Sequence, residues 1–229
     1  MVYCNKVVAA VKVNGQILRE KENTVTLPFG SEYSILIKNL NSVRLQVKVS
    51  VDGTDATEGT WLVVGPNSSM ELERFIRDGN FERGNRFKFI ERTAQIEKHR
   101  GIKADDGLIR MEYKVEQVAV QMLRIHYYDY WSCPPNWPYY PPYPRTGRTL
   151  DAGITVPGSE SQQKFVAASN FETYSQSEVI VLHLRGEVGG KKVAKPVTVK
   201  TKPTCATCGK VNKGQNQFCS QCGTALTLI

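Results

Sequence analysis

Val43-Arg44-Leu45-Gln46-Val47-Lys48-Val49-Ser50-Val51 is the stretch that decides the fold class of this chain. Five aliphatic residues stand at every second position, with Arg44, Gln46, Lys48 and Ser50 between them. Successive side chains of a strand point to opposite faces, so a period of two puts one face in a core and the other in water. Asp52-Gly53 follows at once and is a turn dipeptide. A strand with one wet face belongs in an antiparallel sheet, because parallel sheets are covered on both sides.

The same texture extends in both directions. Upstream, residues 6–13 lead to Asn14-Gly15, the strongest two-residue hairpin signal, and then to 16–19. Residues 24–27 end at Pro28-Phe29-Gly30, and another run covers 33–38. Downstream, 61–64 is a short apolar strand before the turn Gly65-Pro66-Asn67, and Met70, Leu72, Phe75 and Ile76 form a half-buried run. Residues 85–92 place Phe87 and Phe89 on one face, with Arg86 and Lys88 on the other. Residues 93–101 are polar and read as one helical turn or a loop. From 108 to 117, Ile109, Met111, Tyr113 and Val115 alternate with charged residues, and 118–125 extends that run. Strand texture returns at 153–156, around Phe165-Val166, and at 179–184, which is too little for a second core. No segment holds a 3.6-residue apolar period over three turns. The expectation is a mainly β chain: an antiparallel β-sandwich of the jelly-roll or immunoglobulin-like kind, completed by the later strands.

Length and composition agree. A chain of 229 residues, 41% hydrophobic and 23% charged, has enough interior for a real core. No apolar run reaches the length of a membrane span, so no membrane partner is expected. The first residues show no basic segment followed by an apolar one, so no signal peptide is visible. The net charge is +8. Much of it lies after Arg185, where Lys191, Lys192, Lys195, Lys200, Lys202, Lys210 and Lys213 face one acid, Glu187.

Between residues 127 and 150 the composition breaks. Tyr127, Tyr128, Tyr130, Trp131, Trp137, Tyr139, Tyr140 and Tyr143 are interleaved with six of the eleven prolines. Pro134-Pro135, Pro138 and Pro141-Pro142-Tyr143-Pro144 exclude a helix or a sheet interior. The segment reads as a stiff loop, partly polyproline II, with two readings: a protrusion contacting a protein or sugar, or rings packed on their own domain. Tyr128, Tyr130, Trp131, Trp137, Tyr139, Tyr140 and Tyr143 are its candidate contact residues, since Tyr and Trp offer large contact area at low entropic cost.

At the C-terminus stand Cys205-Ala-Thr-Cys208-Gly209 and Phe218-Cys219-Ser-Gln-Cys222-Gly223. Each Cys-x-x-Cys turn aims two thiolates at one point, and two turns supply four soft ligands to one tetrahedral ion. Cys205, Cys208, Cys219 and Cys222 are therefore expected to hold one structural Zn2+, in a closed site with no position left for catalysis. Two disulfides would need an oxidising compartment, and metal-type cysteine spacing without a leader points to synthesis in a reducing cytoplasm. The stretch resembles the short zinc-ribbon family, over about 20 residues of the chain, which implies a fold and a metal. Phe218, beside a ligand, is expected to be ribbon core.

Catalytic signatures are missing: the sequence has no G-x-S-x-G, H-E-x-x-H or G-x-G-x-x-G, and His99, His126 and His183 sit in unrelated contexts. His99-Arg100 and Asp105-Asp106 form the densest polar cluster and read as the decoration of a solvated turn. Four thiolates on a divalent ion carry a local charge of −2, which offsets part of the basic tail. No arginine follows Arg185, so nucleic-acid binding is expected to be weak and non-specific at most.

Several stretches carry a second likeness: residues 28–35 with 37–42, Glu71-Leu72-Glu73-Arg74-Phe75, residues 85–91, His99-Arg100-Gly101 with Asp105-Asp106-Gly107, and residues 153–159. Over roughly residues 5–185 the chain resembles a set of β-rich structural proteins of tailed bacteriophages. That resemblance implies a virion component without an active site, such as a capsid decoration (cement) protein or a head-associated accessory subunit. It would be made in the host cytoplasm and bound to other capsid proteins or to copies of itself. The alternatives are a glycan- or host-surface-binding module using the aromatic loop, and a nucleic-acid-binding protein using the basic tail. The expected organisation is a sandwich over 1–126 and 151–188, the aromatic loop at 127–150, a basic linker at 189–203 and the metal domain at 204–229.

Overall fold

The structure, a computed structural model, describes residues 1–118, 150–188, 205, 207–213, 216, 218–224 and 226. The aromatic and proline-rich stretch through residue 149, the end of the run at 119–126, and the linker with Lys191, Lys192, Lys195, Lys200 and Lys202 lie outside the described residues.

The chain begins with strands β1 (Val2–Cys4), β2 (Val7–Val13), β3 (Gln16–Ile17), β4 (Glu20–Lys21) and β5 (Thr24–Leu27). Next come β6 (Glu32–Asn39), β7 (Leu45–Val51), β8 (Thr54–Asp55), β9 (Leu62–Val64) and β10 (Ser69–Leu72). β11 (Gly84–Glu91) precedes the helix α1 (Ala94–Arg100), which is followed by β12 (Leu108–Val115), β13 (Gly153–Ser161) and β14 (Glu178–Gly186).

These strands form two sheets. The first runs β1-β2-β6-β11-β13, with β3 on β2 and β10 on β6; the second runs β4-β5-β14-β12-β7-β8, with β9 on β7. β6 and β7 are the hubs. β6 pairs along most of its length with β2, while its other edge meets β11 at Glu32 and Tyr33 and then β10 from Ile35 to Lys38. β7 does the same with β12 on one edge and β9, then β8, on the other. The expected antiparallel pairing holds for every named strand pair except β5 with β14, which run parallel from Thr24↔His183 to Leu27↔Gly186.

The alternation seen in the sequence becomes the core. Leu45, Val47, Val49 and Val51 are at most 1% exposed, and they join Ile109, Met111 and Tyr113 of β12 with Val11, Ile35, Ile37, Phe87 and Phe89 of the other sheet in one cluster. Asn14-Gly15 and Asp52-Gly53 turn their hairpins with φ of 50° and 76°, and of 50° and 72°. Positive φ at both central residues marks the type I′ turn, whose twist follows that of the strands, which is why these dipeptides are such strong signals.

Two strand glycines make room for a ring stack. Phe29 and Phe89 stack at 5.5 Å with planes 9° apart. A Cβ on Gly153 would lie 2.1 Å from Phe89 Cζ, and one on Gly186 would lie 1.8 Å from Phe29 Cζ. Each ring therefore lies against the bare backbone of a strand, one in each sheet, and the stack joins the layers where β13 begins and β14 ends.

Residues 165–166 are not a strand, contrary to the sequence expectation. The stretch 162–177 is a strap without strand pairing of its own, held by a few backbone bonds (Phe165 N to the Phe81 carbonyl at 2.8 Å, and an isolated bridge of Thr173 with Glu116) and by side chains. Gln163 bonds the backbone of β10 and its continuation, donating to the Glu71 carbonyl and accepting from Glu73 N at 3.1 Å. Phe165 lies under the Arg74 guanidinium at 4.9 Å and Phe171 under that of Arg44 at 4.1 Å. Val166 is 90% exposed, so it lacks the buried face that a strand in this sandwich needs. The polar stretch 93–101 holds the helix α1, whose first turn is capped by the Thr93 hydroxyl accepting from Ile96 N at 3.4 Å.

Candidate metal centre

Two turns of the same construction build the cysteine site. In the first, Cys205 N donates to the Lys210 carbonyl at 2.8 Å and Gly209 N to the Cys205 carbonyl at 2.9 Å. In the second, Cys219 N donates to the Thr224 carbonyl at 2.8 Å and Gly223 N to the Cys219 carbonyl at 3.0 Å. Gly209 and Gly223 adopt φ of 71° and 72°, a left-handed conformation that glycine takes at little cost and other residues do not. Each turn thus folds its two thiols to the same side.

The result is a cluster. The four Sγ atoms of Cys205, Cys208, Cys219 and Cys222 all lie within 4.8 Å of one another. Cys205 Sγ is 3.5 Å from Cys222 Sγ, and Cys208 Sγ is 3.5 Å from Cys219 Sγ. A disulfide needs about 2.05 Å between sulfurs. Four thiolates at about 2.3 Å from a shared tetrahedral ion stand roughly 3.8 Å apart. The spacing fits a metal ion and not two cystines, so the cluster is compatible with the zinc ribbon that the sequence resembles.

The electrostatics agree. A backbone N–H from Cys208, helped by that of Thr207, holds the Cys205 thiol below its ordinary value. Burial pushes Cys219 up, but the N–H groups of Gln221 and Cys222 and the Asn212 side chain outweigh it and bring the thiol down to about 6. The Lys210 N–H favours the Cys208 thiolate, yet burial and the neighbouring sulfurs of Cys222, Cys219 and Cys205 push this thiol up to about 12. Burial and hydrogen bonds to the neighbouring sulfurs thus favour the protonated form of Cys208, a preference that a bound divalent cation would reverse.

Asn212 is the site residue that the sequence reading missed. It is 3% exposed, and its Nδ2 donates to the Lys210 carbonyl at 2.8 Å and to Cys219 Sγ at 3.6 Å. Its Oδ1 accepts from Ser220 N at 2.9 Å and Ser220 Oγ at 3.0 Å. One amide therefore ties the first turn to the second. A polar residue four positions after Cys208 is an available signal, but any surface residue could supply it. Phe218 also departs from expectation: it is 59% exposed, and Val211 is 55% exposed, while Leu226 is the buried apolar residue beside Cys205 and Cys219. Lys210 and Lys213 are exposed.

Other polar clusters close on themselves. Asp106, expected in a solvated turn, has a side chain only 2% exposed. It pairs with Arg92 at 3.2 Å and with Arg100, and it accepts from Lys103 N at 3.1 Å; Arg92 also meets Glu97 at 3.1 Å. This network fastens α1 and the following loop to the end of β11. On the first sheet, Glu73 accepts from Arg86 at 2.8 Å and from Ser161 Oγ at 2.5 Å. Lys48 and Lys114 both lie over the Trp61 ring, at 4.9 and 5.1 Å. His99 and His183 are exposed at the surface. No helix among the described residues is long and apolar enough to cross a membrane.

No protein-family model matches this chain, and neither a curated protein nor a solved structure matches it.

Proposed function

We propose that this chain is a non-catalytic virion structural protein, a capsid decoration or head-associated accessory subunit that binds neighbouring capsid proteins and is stapled at its C-terminus by one zinc ion. The observation that carries the docking part is the make-up of the C-terminal knob. Its four thiols face one point in a closed set, and the surface left outside presents Val211 and Phe218 beside Lys210 and Lys213. An exposed apolar pair with a cationic rim suits contact with protein more than with a phosphate backbone, which calls for arginine and a dense basic stripe. The buried Asp106 and Arg92 and the half-buried Glu73 support a structural role as well, since they are spent on holding loops and sheets together. The virion part rests on the sequence resemblance over roughly residues 5–185.

Zinc is the metal this reading assigns, because four thiolates without an oxygen or nitrogen donor form a soft tetrahedral set. The test is copurification with assembled particles. The full chain is expected to sediment with them, and a chain deleted after residue 203 to bind more weakly. A chain that stays monomeric and never associates with particles contradicts the proposal.

A further inference from the structure

Arg74 has no solvent exposure. Its Nε donates to the Gln163 carbonyl at 2.9 Å, and its Nη1 to the carbonyls of Phe75 and Asn80, both at 3.1 Å. Nη2 finds no acceptor among the described residues. All these partners are neutral, and the adjacent acid Glu73 is engaged by Arg86 and Ser161. A buried cation held by neutral carbonyls and the Phe165 ring, with no carboxylate bonded to it and only the electrostatic pull of neighbouring Glu73, has its charge only partly compensated, which favours the arrival of an anion nearby.

A cavity of about 360 Å3 lies next to this group, lined by Arg77, Asp78, Asn80, Arg83, Gly84 and Glu160 among others. Two of its residues also touch Arg74. Asn80 supplies one of the carbonyls that Nη1 uses, and a Cβ on Gly84 would lie 2.8 Å from Nη1. The buried charge thus sits directly behind a wall that the missing side chain of Gly84 keeps thin. At the mouth, Arg83 reaches Glu160 only at 3.8 Å, with the two side chains 71% and 63% exposed. Arg77 rests on the Phe75 ring at 5.1 Å. The turn itself is braced from outside, since Glu58 accepts from Asp78 N at 3.0 Å and Gly79 N at 2.8 Å. Arg77 and Arg83 thus line the cavity together with Asp78 and Glu160, and Arg74 lies behind Gly84.

We propose that this cavity binds a carboxylate, with Arg83 and Arg77 as its direct partners and Arg74 as the buried charge it compensates across the Gly84 wall. Planar guanidinium groups take carboxylates in paired hydrogen bonds. The volume is near the lower end for ligand sites, which leaves room for a short dicarboxylate or an acidic side chain and not only for a bare ion. The proposal does not depend on the virion reading.

The test is a titration of the full-length 15N-labelled chain at constant ionic strength, first with succinate and then with a blocked tetraglutamate peptide. Saturable shifts are expected at Gly84, Asn85 and the Arg74 Nε–H, and the rest of the spectrum should stay unchanged. Arg83→Gln and Arg77→Gln, both at exposed positions, are expected to weaken binding about tenfold or more each, the size of one charge-assisted hydrogen bond. Saturation by succinate assigns a free small acid as ligand, whereas saturation by the peptide alone assigns an acidic segment of a protein. No saturable shift with either probe, or shifts that chloride or succinamide reproduces, overturns the proposal.

Discussion

The carboxylate of Asp52, at the end of β7, accepts the backbone N–H of Thr155 in β13 at 2.5 Å, so a single side chain joins the two sheets at their edge. Its other oxygen accepts Gly107 N at 2.7 Å, at the start of β12. Desolvation pushes Asp52 up to about 6, against the opposing pull of these two N–H groups. An acid whose folded value lies above its ordinary 3.8 binds its proton more tightly when folded. Its contribution to stability is therefore complete at low pH and is lost as pH rises from about 4 to about 6. A rise of that size in an acid's pKa corresponds to at most about 3 kcal/mol. Denaturant unfolding of the wild type and Asp52→Asn across pH 4 to 7 should show the wild type gaining relative to the variant towards pH 4. A pH-independent difference contradicts this assignment.

The Phe29–Phe89 stack gives a packing test. Gly186→Ala places a methyl inside the space of the Phe29 ring, and Gly153→Ala does the same to Phe89. Overpacking of this kind costs about 1–3 kcal/mol or more. Phe29→Leu is expected to recover part of the loss in Gly186→Ala and none of it in Gly153→Ala, as read by urea midpoints. Equal recovery in both would mean that the clash is not local to each ring.

Asp106 and Glu160 contrast a buried charge with an exposed one. Asp106→Ala leaves Arg92, which is 6% exposed, with Glu97 as its remaining carboxylate partner, and removes a partner of Arg100 as well. Losing a charge-assisted bond of this kind costs about 1.5–3 kcal/mol. Glu160→Ala removes a pair with both partners largely exposed, and should shift stability by less than about 1 kcal/mol. Thermal unfolding of the two variants side by side checks the order.

Asn212 tests the support of the metal centre without touching a ligand. Asn212→Leu removes the amide that donates to Cys219 Sγ and accepts from Ser220. Loss of such an outer partner weakens metal binding about 10–100-fold. Competition with a chromophoric chelator measures it, and an affinity equal to that of the wild type would show that Asn212 only fills space.

The sandwich was legible because several of its strands have one wet face, whereas β2 is buried on both. Residues 43–51, 85–92 and 108–117 alternate, and the structure buries the faces that the alternation marks. Asn14-Gly15 and Asp52-Gly53 were legible for the same local reason. Asn5-Lys6 and Glu22-Asn23 turn their hairpins in the same left-handed region, with φ of 44° and 62° and of 52° and 60°, but without a glycine they carry no comparable signal. The parallel pairing of β5 with β14 depends on partners about 160 residues apart, which no local pattern encodes. The strap misled because Phe165-Val166 has the composition of a strand, while it is held by one backbone bond to Phe81, the Arg74 guanidinium over Phe165 and the Gln163 side chain on β10. At the metal site the ligands were readable from spacing alone. Asn212, the exposure of Phe218 and the burial of Asp106 arise from tertiary packing.

Metal content with X-ray absorption on the purified full chain is the decisive measurement for the C-terminal centre. One zinc per chain is expected, with four sulfur neighbours at about 2.3 Å. Cys205→Ser should lose the metal and the order of the C-terminal knob while the sandwich keeps its cooperative unfolding, since metal binding supplies about 10–16 kcal/mol in comparable small zinc domains. A chain with no bound metal, or a metal with oxygen or nitrogen in its coordination shell, would contradict the closed four-thiolate centre.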